Sequence, residues 1–182
     1  MKRASVFWFT GLSGSGKTTV AEGVRRILEA AGIVTLVLDG DEIRNRLHRN
    51  LGFTREEIML NNRLVAGLCE SSRDAYDVIL VPIISPYEEC RRLARERLGK
   101  GFYEVYFDAD MACVMQRDVK GLYAKAKRNE LNNLIGYAPT NPYEVPAAPD
   151  WTVCSKTEKA QESTRALSVF ILAELSGKKV SL

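Results

Sequence analysis

Histidine is almost missing from this sequence: His48 is the only one among 182 residues. It falls in a polar helical stretch and reads as a surface residue. No Ser–His pair and no histidine-based metal centre can be assembled around it. Long apolar runs are missing too, since none approaches the ~20 residues needed to span a bilayer. The first apolar run begins almost at Met1, which leaves no room for a signal peptide and predicts a protein without a membrane partner. Cysteine is sparse. Cys69, Cys90, Cys113 and Cys154 lack metal-ligand spacing, and each lies in an apolar helical or strand pattern. Buried, reduced thiols and a cytoplasmic location are therefore expected. A strong charge imbalance is also lacking. The formal net charge of +3 is too mild to argue for nucleic acid, and neither a basic stripe nor a stacking-aromatic module is present. It suits a small anionic substrate. With no repeat, low-complexity stretch or clear linker, residues 1–182 read as one domain.

What is present starts with Gly11-Leu12-Ser13-Gly14-Ser15-Gly16-Lys17-Thr18. Before it, Val6-Phe7-Trp8-Phe9 reads as a short buried strand. After it, Val20, Val24, Ile27, Leu28 and Ala31 recur at helical spacing. Strand, Gly-rich loop and helix in that order are what a phosphate-cradling P-loop requires. The glycines permit a tight turn whose N–H groups converge at a helix N-terminus, where the dipole favours anions. Lys17 then reaches the β- and γ-phosphates of a nucleoside triphosphate, and the Thr18 hydroxyl is placed to hold Mg²⁺. A chance Gly/Ser-rich loop has no reason to combine this spacing, the Lys-Thr ending and both flanking elements.

Apolar runs then alternate with helical patterns, the signature of a parallel α/β sheet. Strands are expected near Val6–Thr10, Val34–Asp39, Val78–Pro82, Tyr103–Phe107 and Thr152–Cys154. Ligands of such sheets sit beyond the C-terminal strand ends. Asp39 and Asp41 follow the second strand there. One can hold Mg²⁺ through water while the other orients or deprotonates an acceptor hydroxyl, and spacing does not say which. The competing reading, Asp41 as a helix cap, explains one carboxylate but not both. Thr54 and Glu57 form a capping box that opens a long helix. Asn61 and Arg63 lie in its first turns and, taken alone, read as solvated surface. After the third strand, Ser85 reads as a helix cap with Pro86 in the first turn. Arg91, Arg92, Arg95 and Arg97 read as the solvated side of that helix. Arg117-Asp118-Val119-Lys120-Gly121 concentrates cations on a Gly-hinged segment, which suits a lid over a transferring phosphoryl group. The lid is expected around residues 117–135. A proline-rich loop around 136–150 could close over a ligand. Thr157, after the last strand, lies where such folds approach the base of the nucleotide.

Laid out in order, these residues resemble the adenylyl-sulfate kinase family over nearly the whole chain. The resemblance rests on Gly11–Thr19, Asp39-Gly40-Asp41 with Arg44, and Leu51-Gly52-Phe53. Asn61, Arg63, Val65-Ala66, Ile84-Ser85-Pro86-Tyr87, Arg117-Asp118, Lys120-Gly121-Leu122-Tyr123 and Pro142-Tyr143-Glu144 complete the series. It implies an α/β fold of the P-loop nucleoside-triphosphate-hydrolase type, a three-layer sandwich around a five-stranded parallel sheet. It also implies transfer of the γ-phosphoryl group of ATP, with Mg²⁺, to the 3′-hydroxyl of adenylyl sulfate, commonly by a homodimer. The P-loop including Thr19 would bind ATP together with Arg117 and Thr157, and Asp39, Asp41, Lys17 and Ser85 would be catalytic. Arg44, Phe53, Asn61, Ile84, Lys120 and Leu134 would face the acceptor. The sequence departs from the family where the acceptor is recognised. An acidic residue followed by an acceptor-gripping arginine is replaced by Glu57-Ile58, and an adenine-stacking phenylalanine by Leu134. The 137–141 loop is about two residues longer. Kinases of cytidine diphosphoramidate are similar to this family, so another nucleotide-like acceptor stays open. A nucleotide-dependent switch ranks lower, since no guanine-reading Asn-Lys-x-Asp motif occurs.

Overall fold

The computed structural model describes residues 3–47 and 49–177, so the reading of His48 lies outside the described residues. Five strands form the sheet: β1 (Ser5–Thr10), β2 (Thr35–Val37), β3 (Val78–Pro82), β4 (Phe102–Phe107) and β5 (Trp151–Val153). Their order is β2-β3-β1-β4-β5, every pair is parallel, and β1 lies in the centre. Successive side chains of β1 alternate between the two faces. Phe7 and Phe9 pack against Val20, Val24 and Leu28 of α1 (Lys17–Ala30) and Leu167 and Ile171 of α7 (Ala160–Ser176). Val6 and Trp8 turn the other way, toward Val65 and Cys69 of α3 (Arg55–Ser72) and Ala94 and Leu98 of α4 (Glu88–Leu98). Each such buried side chain contributes about 1.5–3 kcal/mol. Helices cover both faces, which is why the strands read as unbroken apolar runs rather than alternating ones.

The capping box of α3 forms as expected, with Thr54 Oγ1 accepting from Glu57 N and Glu57 Oε2 from Thr54 N. Three expectations need correction. First, β2 stops at Val37 instead of reaching Asp39. Asp39 leaves the sheet because its side chain caps the short helix α2 (Gly40–Arg46), accepting from the amides of Asp41 and Glu42. The capping carboxylate is thus Asp39 and not Asp41. Second, Ser85 does not cap α4. Its φ is 45°, in the left-handed region, and the helix begins at Glu88 after Tyr87, so Pro86 also precedes it. Third, only Cys69 and Cys90 are buried; Cys113 is half-buried and Cys154 exposed, and all four thiols are free.

Candidate active site

Beyond the C-terminal end of β1 the chain turns into α1 through Gly16, whose φ of 93° places it in the left-handed region at the helix N-cap. A side chain there would be strained, and glycine relieves that. Gly11 is constrained differently: a Cβ on it would meet the Cβ and carbonyl oxygen of Phe107 at 2.9 Å. The resulting loop folds over Lys17, which is 8 % exposed and donates to the carbonyl oxygens of Gly11 (2.8 Å) and Leu12 (2.7 Å). Burial pushes the Lys17 ammonium down from 10.5 to about 7, against the pull of Asp41 and Asp39. A polyphosphate placed beside it would restore the charged form. Titration calorimetry in buffers of different ionisation enthalpy is therefore expected to detect close to one proton taken up per ATP bound near pH ~8.5. In Lys17→Met that uptake disappears; equal uptake in both proteins would contradict the assignment.

The two carboxylates occupy different positions. Asp39 Oδ2 accepts from Thr18 Oγ1 at 2.8 Å, so a hydroxyl and a carboxylate stand side by side at the start of α1. These are hard oxygen donors of the kind magnesium takes when most of its shell is water and phosphate. Asp41 instead pairs with Lys120. Its Oδ2 meets Lys120 Nζ, carried there by the turn between α5 (Met111–Arg117) and α6 (Leu122–Lys127). α6 in turn reaches the P-loop, with Tyr123 Oη donating to the Ser13 carbonyl at 2.8 Å.

A cavity of roughly 180 Å³ extends from the P-loop to Val119 and Lys120 of this turn. On the phosphate side it is lined by Ser13, Gly14, Gly16, Lys17, Thr18 and Thr19. Its other end meets Asp41, Arg44, Phe53, Asn61, Ile84, Ser85 and Lys120. The sequence had placed all of these at the site. Arg44 lies with its guanidinium 4.5 Å from the centre of the Phe53 ring and donates to the carbonyls of Leu51 and Gly52. Asn61 is buried and not the solvated residue its helix position suggested. Other residues fall outside the cavity lining. Gly11 and Ser15 belong to the loop itself but do not line the cavity, nor does Asp39, which is bonded to Thr18. Arg117 donates to the Ser155 carbonyl at 2.6 Å, and exposed Thr157 follows in the same turn after β5. Leu134 does not face the acceptor side: it packs with Leu12, Val114 and Tyr123, and Ile135 lines the cavity in its place.

Ser85 sits at the floor of this cavity, 1 % exposed, and its Oγ has no partner among the described residues. Its left-handed backbone is held from three sides. Thr10 Oγ1 lies 2.7 Å from the Ile84 carbonyl and 3.0 Å from that of Ser85, while the Tyr143 hydroxyl meets Thr10 at 2.8 Å. Arg91 Nη1 donates to the Ser85 carbonyl and Nη2 to that of Glu144, both at 2.9 Å. Arg91 Nε lies 2.8 Å from Glu104 Oε1 on β4. Arg91 was expected on a solvated helix side; at 2 % exposure it is instead the link between α4, β4 and the 136–150 loop. Thr10, Tyr143 and Arg91 escaped the sequence analysis as site residues because each acts through partners distant in the chain. Removing one member of a buried ion pair strands the other. Arg91→Ala is expected to lose about 3–5 kcal/mol of stability, lowering Tm by roughly 10 °C. Calorimetry showing an unchanged Tm would refute this.

A Walker-type loop after the central parallel strand, two carboxylates just past the end of the edge strand β2 and a cationic turn that reaches one of them define a P-loop phosphotransferase. The sequence pattern of the adenylylsulphate kinase family matches residues 3–154, and the chain belongs to that family. An adenylyl-sulfate kinase of Halothermothrix orenii is 46 % identical over 160 residues, which cover 86 % of this chain and 83 % of that one. The bifunctional enzyme NodQ of Rhizobium meliloti is 38 % identical over 179 residues; the match takes in 98 % of this chain but 28 % of that longer protein. Among solved structures, the Mycobacterium tuberculosis APS kinase CysC in complex with AMPPNP and APS superposes with a TM-score of 0.86 at 35 % identity. That superposition covers 94 % of this chain and 99 % of the other. The fold is the α/β, five-stranded parallel P-loop kinase architecture expected from the sequence. No helix among the described residues is long and apolar enough to cross a membrane.

Proposed function

We propose that this chain transfers the γ-phosphoryl group of ATP to the 3′-hydroxyl of adenylyl sulfate. The observation that carries the proposal is that Lys17 and Asp41 line one and the same cavity. A triphosphate cradled by the loop amides and Lys17 presents its terminal phosphoryl group there, and Asp41 is placed to accept the proton of an incoming hydroxyl. Lys120 and Lys17 stabilise the charge on the group in transit. Thr18, with Asp39 through water, fits as the magnesium-holding pair; when bound, the ion neutralises the phosphate oxygens. Arg44, stacked on Phe53, and Asn61 form the wall that takes the acceptor nucleotide. Incubation with MgATP and adenylyl sulfate, followed by identification of a 3′-phosphorylated product, tests the reading. Absence of that product, with ATP still bound, removes this acceptor.

The acceptor wall carries Ile58, 2 % exposed, where the family resemblance places a gripping arginine. Ile58→Arg is expected to lower KM for adenylyl sulfate roughly tenfold, the scale of one charge-assisted contact. A KM that rises or stays level would mean that this wall does not meet the sulfate end. We further propose a cytoplasmic homodimer. Free thiols and the apolar, 40 % exposed pair Leu60 and Leu64 on α3 support it. Sedimentation equilibrium measures the assembly directly.

A further inference from the structure

Among the described residues four buried side-chain polar atoms take part in no hydrogen bond, and two of them, Asn62 Oδ1 and Ser85 Oγ, belong to residues that line the same cavity. Asn62 is 3 % exposed on α3. Its Nδ2 donates to the Ile58 carbonyl one turn earlier, at 2.9 Å. That bond fixes the orientation of the amide: the NH₂ must meet the carbonyl, so the oxygen is left over. An orphan acceptor of this kind is costly in the protein alone, and it is the sort of group that a ligand completes. No donor among the described residues bonds it. Ile58, Ile84 and Ile135 bring only hydrocarbon. The cavity's cations are committed elsewhere: Lys17 to its own loop, Arg44 to Leu51 and Gly52, Lys120 to Asp41.

We propose that Asn62 is a specificity-determining residue, its carboxamide oxygen accepting a hydrogen bond from an amino group of the acceptor substrate. The proposal rests on the reading of this cavity as the acceptor site. A carboxamide oxygen only accepts, so it repels a sulfate or phosphate oxygen and attracts an N–H donor. Two parts of a nucleotide acceptor can supply one: the exocyclic amine of the base, or an amino group borne by the terminal phosphorus in place of oxygen. The hydroxyl of Ser85, able to donate or accept, can bond a second atom of the same ligand.

The test compares wild type and Asn62→Leu, which keeps the side-chain bulk but removes the polar end. One arm pairs adenylyl sulfate with its inosine counterpart, in which the base amine is replaced by oxygen. The other pairs a cytidine diphosphoramidate with cytidine diphosphate. In wild type, loss of the amino group is expected to lower kcat/KM about 10–100-fold in one arm, through KM for the acceptor, and that arm identifies which amine is read. In Asn62→Leu the ratio is expected to fall below about threefold with KM for ATP unchanged. Tm of the variant is expected to equal or exceed that of wild type, because an unpaired buried acceptor has been removed. Undiminished discrimination in Asn62→Leu, or none in wild type, overturns the role of Asn62 while leaving the kinase reading intact. Failure of wild type to bind or phosphorylate any of the four compounds overturns the acceptor-site reading and this proposal with it.

Discussion

Lys17→Ala is expected to reduce phosphoryl transfer by at least about a thousandfold, the scale seen when a charge aimed at a transferring group is lost. The size of the effect follows from where Lys17 lies. Its ammonium is buried beneath a loop that offers it the carbonyls of Gly11 and Leu12 and, at 3.3 Å, the Ser15 hydroxyl. In such a low-dielectric setting the attraction for phosphate oxygens is far stronger than in water. The other cations that line the cavity are engaged elsewhere: Arg44 lies over Phe53, and Lys120 pairs with Asp41. The fold should survive, because Lys17 contributes little apolar area to the packed face of α1, where Val20, Val24 and Leu28 do the packing. Circular dichroism is expected to match wild type while turnover vanishes. A variant with turnover within tenfold of wild type would remove the P-loop from the mechanism.

Asp41→Asn is expected to lower kcat about 10²–10⁴-fold, the usual worth of a positioned general base, with KM for ATP changed less than about threefold. Asp39→Asn separates the two carboxylates. Asparagine caps a helix about as well as aspartate, so α2 should stay in place. Its weakened oxygen donor beside Thr18 should raise the magnesium concentration needed for half-maximal rate. The two variants thus differ in kind as well as in size: one loses the chemical step at any magnesium level, the other recovers with added metal. If Asp41→Asn recovers with metal and Asp39→Asn does not, the roles are reversed.

The five strands and the P-loop were legible because both signals are local. A strand covered on both faces is a short apolar run, and a phosphate loop is a fixed spacing of glycines followed by Lys-Thr. The pair Asp39 and Asp41 was legible as neighbours at a strand end but not by their different partners, since Thr18 and Lys120 lie far from them in the chain. Ser85-Pro86 carries the local signature of a helix start. The structure overrides it because the carbonyls of Ile84 and Ser85 are held from β1 and from α4, by Thr10 and Arg91. Arg91 read as solvated for the same reason, its partner Glu104 lying on a strand that a helical pattern does not reveal. Leu134 and Ile135 were exchanged because a loop without periodicity gives no sign of which neighbour turns inward. Asn62 was passed over beside Asn61, and only an unanswered oxygen in the folded chain draws notice to it.

The Lys120–Asp41 pair ties the turn before α6 to the first turn of α2 across 79 residues of chain, and both side chains are more than half exposed. Dissolved salt therefore loosens the tie. In the proposed reaction an incoming hydroxyl has to compete with Lys120 for that carboxylate.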